Sequence, residues 1–177
     1  MIFRFDDVCI NSDMELHNKM TDYLKEKFPK AEIIWAVSVG IIGSADQRVF
    51  PKEFNAMSDH RCFYHLTKVG VPQLRNDVKI ASHGLYHVDH RLLSREVQEA
   101  SISTSMSLLP IPRSQGEAIF VPPFNKYNKD TISICSERNI ELIKWEDLWQ
   151  SMEYNNYRTS PQLEGRQKYY LHAREWT

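Results

Sequence analysis

From Ile2 to Asp7 bulky apolar and polar side chains alternate, and the alternation stops at two adjacent carboxylates, which is the pattern of a short strand ending at a solvent-facing mouth. Ser12 and Glu15 have the spacing of a capping box, and Leu16, Met20, Tyr23, Leu24 and Phe28 recur at helical intervals until Pro29 ends them. Glu32 to Val39, rich in Ile, Val and Trp, predicts a second strand, and Val78 to Ser82 predicts another that runs into His83. Ser94 is placed to cap a helix through about Leu108, with Glu96 and Glu99 in its first turns and Pro110 and Pro112 beyond its end. Ala118 to Val121 reads as a strand, Pro122 and Pro123 force an extended turn, and Asn128 caps a helix to about Arg138. Ile140 to Trp145 and Lys168 to His172 complete the strands, with a polar loop between them. Gly40 to Pro72 shows no clean period and predicts no element. Strands alternating with helices imply an α/β fold with a mainly parallel sheet, whose ligands gather at the carboxyl ends of the strands.

A length of 177 residues suits one domain, taken as 1–177. A globule of this size buries roughly 70% of its unfolded surface, so no metal is needed merely to hold a core. A metal here is expected to serve chemistry. With 22 basic and 23 acidic side chains the formal net charge is −1, which gives no reason to expect nucleic acid as a partner. The apolar run from Ile33 to Ile42 is broken by Ser38 and Gly40 and is far shorter than the roughly 20 residues of a transmembrane helix. Arg4, Asp6 and Asp7 fall where an export signal needs an apolar stretch, so the expected location is the cytoplasm. Cys9, Cys62 and Cys135 show no CxxC pairing and read as reduced, small core residues. The oligomeric state is left open.

Three polar groups fall at predicted strand ends: Asp6 with Asp7, then His83 with His87 and His90, and finally His172. Each alone also fits a bland role, as a turn signal, an accident of spacing or a lone histidine. Together they are more informative, because strand ends of a parallel sheet converge. One carboxylate and two imidazoles leave coordination positions open on a divalent ion, as a hydrolytic zinc site requires, and a second carboxylate beside them suits a general base. His90 is left open between metal ligand, hydrogen-bond donor behind a ligand and solvated loop residue. Trp145 and Trp149 suit either a sugar-binding wall or the core.

The order of these motifs resembles the polysaccharide deacetylases with a NodB homology domain, the fourth carbohydrate esterase family. Phe3-Arg4-Phe5-Asp6-Asp7 is similar to that family's TFDD motif and His83-Gly84-Leu85-Tyr86-His87 to its HSxxH or HTxxxH motif. Val121-Pro122-Pro123-Phe124 resembles RPPY, Trp145-Glu146-Asp147-Leu148-Trp149 the Trp/Asp motif, and Leu171-His172 the closing LxH. The likeness runs from residue 3 to residue 172, and implies a distorted or incomplete (β/α) barrel.

The resemblance further implies that Asp7, His83 and His87 bind a divalent metal, with Zn2+ first and Co2+, Ni2+ or Fe2+ as alternatives. Asp6 would be the base that deprotonates the attacking water, and His172 the acid that protonates the departing amine. Pro123 and Phe124 would form the oxyanion turn, and Trp145 and Asp147 would belong to the substrate side of the site. The implied activity is removal of an N-acetyl group from a sugar of a glycan or glycan precursor. Two positions depart from the pattern: Gly84 replaces a Ser or Thr, and Val121 replaces the arginine that orients the base, with Asp147 as its usual partner. Arg4, Arg91 and Lys126 are the basic residues open as substitutes. The missing arginine also motivates a second reading, a carbohydrate-binding pseudoenzyme, and a third keeps the hydrolase but exchanges the sugar for another amide.

Overall fold

The computed structural model describes residues 1–10, 12–42, 64–85, 87–144, 149–151 and 168–172. Its strands are β1 (Ile2–Val8), β2 (Glu32–Val37), β3 (Gly40–Ile42), β4 (Tyr64–Val69), β5 (Lys79–Ser82), β6 (Ala118–Phe120), β7 (Ile140–Leu142), β8 (Trp149–Ser151) and β9 (Lys168–His172). Its helices are α1 (Met14–Lys27), α2 (Arg95–Leu108) and α3 (Lys129–Glu137). Seven strands form one sheet in the order β7-β6-β5-β2-β1-β9-β8, and every pairing in it is parallel. With β7 and β8 at its ends, the sheet is the incomplete (β/α) barrel expected from the motif order.

Alternation along the strands gives the sheet two unlike faces. Phe3, Phe5, Ile33, Trp35, Val37 and Ile80 form one cluster with Met20 and Leu24 of α1, so this face is the one covered by that helix. The buried indole of Trp35 donates from Nε1 to Thr21 Oγ1 of α1 at 3.2 Å. The other face carries Ile34, Ala36, Ala81, Ile119 and Val121, packed together with Ile2. Arg4 is paired in register with Ile34 and lies two residues beyond Ile2, so the pleat puts it on this second, inner face. Phe120, pointing the opposite way from Ile119 and Val121, packs with Ile102 of α2 and with Ile134 and Cys135 of α3.

Two details of register position the site. Phe5 pairs with Trp35 and Val8 with Val37, so Asp6 and Asp7 together oppose Ala36. This is a β-bulge, and Asp7 within it has φ 61, a left-handed conformation that Asp tolerates better than most residues. On the other side of β1 the pairing is regular through Asp6 opposite His172.

Several sequence expectations change in detail. Asp13, not Ser12, caps α1 by accepting from the Leu16 N–H at 2.9 Å, while the Ser12 hydroxyl accepts from the Cys9 N–H at 2.8 Å. The segment without a period holds β3 and β4, an antiparallel pair separate from the main sheet, and β8 lies in what reads as polar loop. Cys9 and Cys135 are buried free thiols, as expected, and burial pushes the Cys135 thiol up to about 12. Cys62 lies outside the described residues. Among the described residues no helix is long and apolar enough to cross a membrane.

Candidate active site

Asp7, His83 and His87 meet at the carboxyl ends of β1 and β5. His83 Nε2 is 3.4 Å and His87 Nε2 2.9 Å from Asp7 Oδ1, and the three potential ligand atoms lie within 4.8 Å of one another. Among the described residues this is the one such cluster of His, Cys and acidic groups. His83 is held at both ends: its N–H donates to the Val37 carbonyl at 2.8 Å, and its ring Nδ1 bonds the Val121 carbonyl at 2.7 Å. A carbonyl can only accept, so Nδ1 carries the hydrogen, and Nε2 is the nitrogen turned toward Asp7. Gly84, with φ 84, turns the chain between the two histidines in a conformation that favours glycine.

The electrostatics suit a cation. Burial opposes ionisation of Asp7, but hydrogen bonds and charge interaction with His83 and His87 outweigh it and hold the carboxyl well below the usual carboxylate range. Burial pushes the His87 imidazole down, against the opposing hydrogen bond with Asp7. An ionised carboxylate with imidazole nitrogens available as lone-pair donors is the state that metal binding requires. The backbone carbonyl on His83 Nδ1 is the kind of outer partner that fixes a metal-binding histidine. The residues present therefore fit a divalent ion held by three protein ligands.

Asp6 serves a different partner. It is 5% exposed, and Arg4, fully buried on the same face, donates to it from Nε and Nη2 to the two carboxylate oxygens, each at 2.7 Å. Arg4 Nη2 also donates to Asn125 Oδ1 at 2.9 Å. Of the three basic residues left open by the sequence, Arg4 is the one that meets Asp6. Arg91 is paired with Asp89 at 2.6 Å instead.

Asn125 belongs to the turn after β6. Pro123–Asn125 form a single 3-10 turn in which Phe124 has φ 57 and ψ 12 and Asn125 has φ 55. The Phe124 ring is 41% exposed and its centroid is 4.2 Å from that of His87, so it forms an apolar lip beside the ligand cluster. Pro123 is buried behind it. His172 ends β9 in register with Asp6, which brings its backbone to the same mouth. Trp145 and Asp147 lie outside the described residues.

His90 is neither a ligand nor solvated: it is fully buried, its Nδ1 bonds the Val88 carbonyl at 3.0 Å, and its ring stands edge-on to Phe120. Burial pushes its pKa down to about 4. Asn125 and the Val121 carbonyl are contributors that sequence reading misses. A backbone carbonyl has no residue signature, and Asn125 falls just beyond the VPPF run.

No protein-family model matches the chain, and no curated protein matches it. Solved structures do. A carbohydrate esterase family 4 pseudoenzyme from Bacillus anthracis aligns at TM-score 0.57 and 12% identity over 98% of this chain and 54% of that one, so this chain spans about half its length. A family 4 carbohydrate esterase from Streptomyces lividans aligns at TM-score 0.55 and 11% identity, covering 97% and 77%. A peptidoglycan N-acetylglucosamine deacetylase aligns at TM-score 0.53 and 13% identity, covering 96% and 71%. The chain has the fold of the family 4 carbohydrate esterases, the polysaccharide deacetylases.

Proposed function

We propose that this protein is a metal-dependent hydrolase that removes an N-acetyl group from a sugar of a glycan or glycan precursor. The observation that carries the reading is the division of labour between adjacent aspartates: the bulge sends Asp7 to His83 and His87 while Asp6 lies on the inner face against Arg4. Asp7, His83 and His87 would hold the ion, with zinc the first choice and cobalt, nickel or iron the alternatives. A divalent ion there supplies Lewis acidity and lowers the pKa of water toward about 7.

The chain's own groups then divide the remaining work. Asp6 takes the proton from the attacking water, the Phe124 backbone N–H faces the oxygen on which charge develops, and His172 returns a proton to the leaving amine. The exposed Phe124 ring suits the apolar face of a pyranose, and the motif order makes Trp145 a candidate for the same task. The products are acetate and a free amine. Neighbours of the same fold include a deacetylase of N-acetylglucosamine in peptidoglycan, which favours a sugar acetamide over other amides.

The competing reading is a sugar-binding pseudoenzyme, a state represented among proteins of this fold. Its motive in this chain is the absent arginine at position 121, and the Arg4–Asp6 pair weakens that motive. Asp6→Asn should retain zinc while acetate release from N-acetylated sugars falls by about 10²- to 10⁴-fold. Asp7→Asn should lose the zinc itself. Zinc and sugar bound by the parent protein without acetate release would establish the pseudoenzyme, and release from simple amides alone would change the substrate class.

A further inference from the structure

A guanidinium that is fully buried has given up its hydration, and it persists where its hydrogen bonds are well formed. Among the described residues Arg4 makes three bonds, and they join two parts of the site. The paired bonds to Asp6, each 2.7 Å, fix the plane of the carboxylate as well as its place, which a single-point contact would not do. The third, 2.9 Å to Asn125 Oδ1, ties the same guanidinium to the turn that carries Phe124. One side chain therefore sets the distance between the carboxylate on β1 and the turn after β6.

The inner face explains how this happens without an arginine at position 121. Arg4 is in register with Ile34, Ala36 with Ala81, and Ala81 with Ile119, two residues before Val121. Val121 packs with that same row, so positions 4 and 121 project to one side of the sheet. We infer that Arg4 is the positioning residue for Asp6, supplying from β1, and linking through Asn125 to the Phe124 turn, the guanidinium that position 121 lacks. The inference rests on the hydrolase reading and adds a residue and a coupling to it.

The test uses the full chain loaded with zinc and follows acetate release from the N-acetylglucosamine pentamer, with zinc content measured on every variant. Arg4→Lys keeps the charge but not the fork, and should lower kcat by about 10- to 100-fold with KM and zinc content unchanged. Asn125→Ala should cause a smaller fall in kcat of the same kind. Arg4→Met should be as weak as Arg4→Lys, and millimolar guanidinium in the buffer or a second substitution, Val121→Arg, should restore part of its kcat. Arg4→Lys turning over like the parent would overturn the positioning role while leaving the hydrolase intact. So would zinc lost from folded Arg4→Lys, which would mean that the residue acts through the metal ligands. A parent that binds zinc but releases no acetate overturns the hydrolase reading instead, and leaves Arg4 a structural partner of Asp6.

Discussion

The ends of β1 and β6 open onto the same site and are built on opposite plans. The end of β1 is charged and works through side chains: Arg4, Asp6 and Asp7 all point into polar contacts, and the bulge at Asp6 and Asp7 sends the two acids to different partners. The end of β6 is apolar and works mainly through its backbone: the Val121 carbonyl holds His83, and two prolines lead into the left-handed turn at Phe124 and Asn125. The difference shows why valine at 121, where the resembling motif has arginine, need not dismantle the site. The carbonyl that orients His83 is the same in any residue, and a guanidinium for Asp6 stands at Arg4 on the same inner face.

The largest effect should come from breaking the charged end. Arg4→Met leaves Asp6 buried without its fork, and removing one partner of a buried pair costs about 3–5 kcal/mol. Replacing both partners, in Arg4→Met/Asp6→Leu, should recover most of that stability, because no buried charge is then left uncompensated. Urea unfolding of the single and double variants measures the difference. A double variant as unstable as the single one would show that the pair holds the fold together and is not retained for the chemistry alone.

The apolar end contains a concealed acid-sensitive group, which sharpens the contrast. His90 is buried edge-on against Phe120, and that burial disfavours its cation and pushes its pKa down to about 4, whereas the unfolded chain protonates it near 6.5. The unfolded state thus binds the proton first, so this residue's effect on stability is neutral above pH 6.5 and increasingly unfavourable as the pH falls toward 4. The gap corresponds to about 3 kcal/mol, fully lost below pH 4. Asp89 and the imidazoles of His83 and His87 are the titratable neighbours that modulate it, the carboxylate favouring its cation and the imidazoles opposing it. In His90→Phe, unfolding free energy measured from pH 7 to pH 4 should fall less steeply than in the parent. An unchanged slope would assign the acid sensitivity to another group.

The same contrast marks what the sequence discloses. Alternation and caps reveal the strands that build the site, the Ser94 and Asn128 helix starts and the closing strand at Lys168–His172, because each is a local preference written in adjacent residues. The spacing of His83 and His87 and the motif order bring Asp7 to them in advance. The bulge is not legible, since a pair of aspartates after a strand looks the same whether it turns or bulges. Arg4 is legible as a basic candidate but not as the partner of Asp6, because that contact depends on which face the pleat assigns and on a turn 121 residues away. His90 misleads for a related reason: a histidine three residues beyond His87 looks like part of the cluster, while the short 3-10 turn at His90–Leu92 directs it into the core.

The smallest effect separates the two left-handed corners. At Asp7 the residue type suits the conformation; at Phe124 it does not, since a bulky side chain at φ 57 carries strain of about 1–2 kcal/mol. Phe124 is only part-buried, so Phe124→Asn gives up less burial than a core substitution would, and it relieves the backbone. A thermal melt should therefore show a gain of about 0.5–1 kcal/mol. Turnover should move the other way, because the aromatic lip 4.2 Å from His87 is gone while the turn itself remains. A stability gain with reduced acetate release would show that strain is kept at this corner for the ring's sake. A loss of stability would place Phe124 with the core, as an anchor of the turn, and the contrast between a charged β1 end and a scaffolding β6 end would then extend even to the ring that lies against His87.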